Sequence, residues 1–131
     1  EEKVVKWSFS ATNPMPTQPS TVYISLHTAD PTDTGTVGEI TGGNYARIGV
    51  SLTGGWTVDQ DGSGDWRARN AATIQFPATG TVTWSGTVTH FAIWDALAGN
   101  CMYRGALTAS KTVSSGDIFQ FLANNITITL Q

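Results

Sequence analysis

Between residues 59 and 65 the chain reads Asp59-Gln60-Asp61-Gly62-Ser63-Gly64-Asp65, the run whose residue types and spacing come nearest to a defined chemistry. Oxygen donors at the first, third and fifth places, with glycine at the sixth, reproduce the opening half of an EF-hand calcium loop. There, alternate side chains converge on a hard cation while the glycine permits the tight turn. The closing half departs from that pattern. Asn70 stands where a bidentate glutamate is needed, Trp66 stands where an aliphatic anchor is usual, and no helices flank the run. An acidic, glycine-rich hairpin tip fits these residues better than an ion site; were calcium bound, Asp59, Asp61, Ser63 and Asp65 would be its ligands. Trp56 and Trp66 bracket the same run, and an exposed tryptophan beside a loop can stack on a sugar. The competing and simpler reading is that both cap the edge of a core.

The remaining reactive residues suggest structure more than chemistry. His27 and His90 are the two histidines, and neither has a second histidine or cysteine at metal-ligand spacing. Asp95 follows His90 by five residues on one strand, which puts the two on opposite faces, so they cannot work as an acid–base pair. Cys101 lies in an apolar strand and reads as a buried thiol. No nucleophile elbow, phosphate loop or dinucleotide fingerprint is present. The expectation is a protein without enzymatic activity and without a required cofactor.

The elements that must hold these residues are strands. At 131 residues the chain makes one domain, and its charged residues, 13%, are about half the usual share. Twenty threonines suit a pleated surface and fourteen glycines punctuate turns. TVYISLH alternates, with Val22, Ile24 and Leu26 on one face and Tyr23, Ser25 and His27 on the other. Further strands are expected in YARIGVSLT, in ATIQFP up to Pro77, in TVTWSG, in GTVTHFAIWD, in CMYRGALT, in DIFQFLA and in NITITLQ. Residues 28–44, rich in Asp, Pro, Thr and Gly, are expected to form a long exposed loop. Seven or eight short strands separated by turn signals predict an all-β, single-domain antiparallel sandwich of jelly-roll or Ig-like type over residues 21–131. Residues 1–20 precede it as an arm and a linker carrying Pro14, Pro16 and Pro19. The arm, as short helix or irregular segment, offers Val4, Val5, Trp7 and Phe9 to a partner.

The formal charge of −3 and the scattered basic residues argue against nucleic acid as a partner. No apolar run reaches membrane-span length and no signal peptide is evident, so no membrane partner is expected.

In order along the chain, TVYISLHTADPTD, GGNYARIGVSL, ATIQFPATGTVTWSGTVTHFAIWDALAGN, MYRGALTASKTVSSGDIFQF and ITITL resemble a family of small bacteriophage virion proteins, often labelled phage tail fibre proteins. The resemblance covers about 110 residues from Thr21 onward and departs from the family at the N-terminal segment and at the acidic run 59–65. It implies a structural component assembled in the bacterial host cytoplasm and located in the virion. Its partners would be other virion proteins, the major capsid protein or tail proteins, and further copies of itself, with a trimer the natural guess. Compactness and the absence of a shaft favour a capsid decoration (cement) protein. The alternative is a tail-fibre or baseplate module that binds host-surface carbohydrate through Trp56 and Trp66.

Overall fold

A computed structural model describes residues 18–129, and the arm residues Val4, Val5, Trp7 and Phe9 lie outside them. Nine strands are found among the described residues: β1 (Thr21–His27), β2 (Ile48–Ser51), β3 (Trp56–Gln60), β4 (Trp66–Asn70), β5 (Ile74–Phe76), β6 (Gly86–Trp94), β7 (Cys101–Val113), β8 (Phe119–Phe121) and β9 (Thr127–Thr129). They pair antiparallel into a four-stranded sheet of order β2-β1-β6-β7, a three-stranded sheet β3-β4-β9 and a two-stranded sheet β5-β8. The result is the expected all-β single-domain sandwich, with its second layer divided between the two smaller sheets.

The core follows from alternation. Val22, Ile24 and Leu26 of β1 and Ile93 of β6 are buried on one face of the large sheet, and Val88, beyond an irregularity at Thr89, joins the same cluster. Ile74, Phe76, Phe119 and Phe121 of the β5-β8 pair meet them, together with Ile126. Phe76, Phe119 and Phe121 pack edge to face, with the Phe119 and Phe121 centroids 5.4 Å apart, and Phe91 adds a fourth ring 6.1 Å from Phe121. That geometry sets the positive ring edge against a negative ring face.

Three sequence expectations are corrected and one is refined. Residues 28–44 form the expected loop, exposed over most of its length, but the loop does not stand away from the body. Thr28 N–H donates to Gly38 O and Ile40 N–H to Leu26 O, which folds the segment back along β1. It thereby covers part of the second face of the large sheet, where Pro31 and Gly35 are buried, while Ile40 joins the main core. For this reason Ser25 and His27, on the face opposite Leu26, are 0% exposed as well. The short strand expected in TVTWSG is also absent among the described residues. Val82 N–H donates to Asp117 O and Val82 O accepts from Gly116 N–H, so the segment is tied to the turn before β8 while Val82 and Trp84 enter the core. β7 continues past Thr108 through the threonine-rich run to Val113, as β-branched residues favour. Four of its residues, between Ala106 and Lys111, stand opposite the single β6 residue Thr89, forming a bulge. Finally, β3 and β4 are strands that the alternation of apolar residues does not reveal.

Candidate functional site

The β3–β4 hairpin is built by its turn. Asp61 accepts the Ser63 and Asp65 backbone N–H groups on Oδ1 at 2.8 and 3.1 Å, an Asx-type cap, and Gly64 takes the left-handed φ of +88° that closes it. Residues paired across antiparallel strands share a face. The register Asp59↔Arg67 therefore puts Thr57, Asp59, Arg67 and Arg69 on one side, and Trp56, Val58, Gln60, Trp66, Ala68 and Asn70 on the other. On the polar side Asp59 accepts from Arg67 Nε at 2.7 Å and from Arg69 Nη2 at 2.6 Å. The Arg67 guanidinium, then that of Arg69, holds the Asp59 carboxyl below its ordinary range.

Of the four candidate calcium ligands, then, Asp59 faces the two arginines and Asp61 faces its own backbone. Among the described residues no group of three or more His, Cys, Asp or Glu is arranged to hold a metal ion. The two tryptophans are separated too. Trp56 pairs with Asn70 at the base of the hairpin and packs on the core; Trp66 pairs with Gln60 at the tip. Four residues of strand, about 13 Å, lie between them. Trp66 is 57% exposed and Val58 beside it 64%, so of the two tryptophans it is Trp66 that presents an open aromatic surface.

Asn70 anchors this hairpin to the body. It is 0% exposed, its Nδ2 donates to Ala72 O and Leu122 O, both at 2.8 Å, and its Oδ1 accepts from Ile126 N–H at 2.9 Å. Nothing in the local sequence marks it, because two of its three partners come from more than fifty residues away.

A second polar cluster lies under the folded-back segment. Trp94 Nε1–H donates to Ser25 Oγ at 2.8 Å, and Ser25 Oγ is 2.7 Å from His27 Nε2. His27 Nδ1 is 2.7 Å from Val37 O, which can only accept. Nδ1 therefore carries the proton, and Nε2 accepts from the serine. Burial pushes the His27 pKa down, outweighing the Val37 carbonyl, and so favours this neutral tautomer. The serine–histidine contact has the form of an activated nucleophile, yet both residues are 0% exposed and the serine oxygen is already occupied. Its chemistry is that of a satisfied core network. Around it Arg47 lies 3.6 Å over the Trp94 ring and pairs with Glu39. Arg104 pairs with Asp30 and Asp33 to fasten the segment from outside. Cys101 is buried in the same place, its Cβ position approached closely by Gly35. His90 contacts Thr89 Oγ1 at 2.8 Å, whereas Asp95 caps the next turn through Asn100 N–H.

The described hairpin thus offers exposed apolar side chains, Val58 and Trp66, beside an acidic turn. The family described as podophage GP4 fiber I protein gp80 matches residues 1–129. The chain belongs to this family. It is accordingly a structural protein of the phage virion, of fibre type. No curated protein matches it.

Proposed function

We propose that the chain serves as a compact, non-catalytic module of a podophage tail fibre, held in the particle by contacts with other virion proteins. The match over residues 1–129 to a fibre family carries this reading and favours it over capsid decoration. The projecting hairpin suits a recognition role. Trp66 supplies an exposed indole face for a sugar ring, while Trp56 belongs to the core, so stacking is assigned to Trp66 alone. Gold-labelled antibody on intact virions is expected to mark the tail, and labelling distributed over the head would overturn the assignment. Trp66→Ala should weaken adsorption to host cell-wall glycan while leaving melting unchanged; equal adsorption by the variant would remove the sugar-binding part.

A further inference from the structure

Two unpaired strand edges face each other on this molecule. β7 ends the order of the large sheet and β9 ends that of the three-stranded sheet, and among the described residues neither carries a further strand on its outer side. A groove of about 320 Å³ lies between them, with Tyr103–Ala106 along one side, Thr127–Thr129 along the other and Phe91 at its floor. Phe91 gives it an apolar floor, while Arg104, Thr127 and Thr129 make its walls largely polar. The Phe91 ring leans across Gly105, with which it pairs, and is only partly buried, and Tyr103 is 40% exposed. Ile128 pairs with Ala68, which pairs with Val58, so the apolar surface runs on from the groove to the hairpin. A second groove, between β2 and β5, differs in that its two flanking strands touch each other.

An open edge beside an apolar floor is what an added strand requires: main-chain groups for its backbone and a surface for alternate side chains. The chain itself contains a segment of matching pattern. In residues 5–10, Val5, Trp7 and Phe9 alternate with Lys6, Ser8 and Ser10, which is strand periodicity, beginning after Val4. We propose that this segment of one copy adds antiparallel to the β7 edge of a second copy. Trp7 stands opposite Gly105 and covers Phe91, Phe9 meets Tyr103, and Lys6 stands opposite Ala106 on the outer face.

Linker length selects the second copy over the same chain. Within one chain the added strand would lie three strand spacings from β1, about 14 Å. Extended as a proline-stiffened spacer, residues 11–20, with Pro14, Pro16 and Pro19, would reach about 31 Å. That is twice the distance needed at home and close to the roughly 35 Å width expected of a domain this size. A head-to-tail contact of this kind joins copies into a ring or a row. The proposal deepens the virion reading by naming the contact between copies, and it rests on that reading only for the presence of many copies together.

The test uses the full chain carrying Lys6→Cys with Ala106→Cys, both outside the packed core. Under mild oxidation, non-reducing electrophoresis should show loss of the monomer band into covalent dimers and higher species, while either single substitution leaves monomer. Separately, Trp7→Lys should lower the mass from light scattering to that of one chain without shifting the melting temperature. A cross-link closed within single chains, no cross-link at all, or an unchanged mass for Trp7→Lys overturns the proposal. None of these outcomes depends on where antibody labels the particle, so failure here is distinct from failure of the fibre assignment.

Discussion

Asn70 makes the sharpest test of how the hairpin is held. Replacing it by leucine keeps a similar volume but strands the buried N–H of Ile126 and the partly buried carbonyls of Ala72 and Leu122. Each stranded group costs about 1–3 kcal/mol, and partial relaxation of the segment around Asn124 lowers the total, leaving roughly 4 kcal/mol. A domain of this size has a stability of about 5–15 kcal/mol, so the loss is a large share of the whole. With a urea slope near 2 kcal/mol per molar, the unfolding midpoint should fall by about 2 M at unchanged slope. Urea titration followed by far-ultraviolet circular dichroism reads this directly. Asn70→Asp should be comparably damaging, since a carboxylate would then face two carbonyl oxygens. A midpoint shift under roughly 0.5 M for Asn70→Leu would refute the idea that these three bonds anchor the hairpin.

Other expectations follow from the same geometry. His27 has a lowered folded-state pKa, so the unfolded chain binds its proton first. Stability should be complete above about pH 6.5 and decline as pH falls toward the folded value, with Glu39, Arg47 and His90 the charged or titratable neighbours. Urea midpoints measured across this range should slope upward with pH, and His27→Gln should flatten that slope. Gly35 has a φ of +72°, and a Cβ there would stand 2.6 Å from the Cys101 Cβ and 2.7 Å from the Trp94 ring. Gly35→Ala should therefore cost about 2–4 kcal/mol. A melting temperature equal to that of the unaltered chain would show that the segment does not press on the sheet. Excess calcium and chelator should give superimposable melts, because Asp59 and Asp61 already have partners. A calcium-dependent rise that Asp61→Asn abolishes would contradict this.

Strands with a buried alternating face were legible from the residues. Thr21–His27, Ile74–Phe76, Gly86–Trp94 and Phe119–Phe121 stand where their apolar patterns place them. The strands β3 and β4 were not, because WTVDQ and WRARN face the core only at their base, leaving a polar face and an exposed tip without apolar periodicity. The turn between them was legible, since Asp61, Gly62 and Gly64 are turn residues by their own chemistry. The folding of residues 28–40 over the sheet was hidden. It depends on Arg104 reaching Asp30 and Asp33 and on Val37 meeting His27, contacts that composition makes invisible. Asn70 was read as a missing calcium ligand, whereas its partners give it a purely structural position.

The arginines carry one more implication. Arg47, Arg67, Arg69 and Arg104 are all the arginines the chain has, and each is engaged by an aspartate or glutamate of the same molecule. Their charge is spent internally, so little long-range field reaches outward from them to draw in polyanions. A contact made through Trp66, as proposed above, would then draw little on arginine charge and rest on shape and apolar area, whose strength salt does not screen.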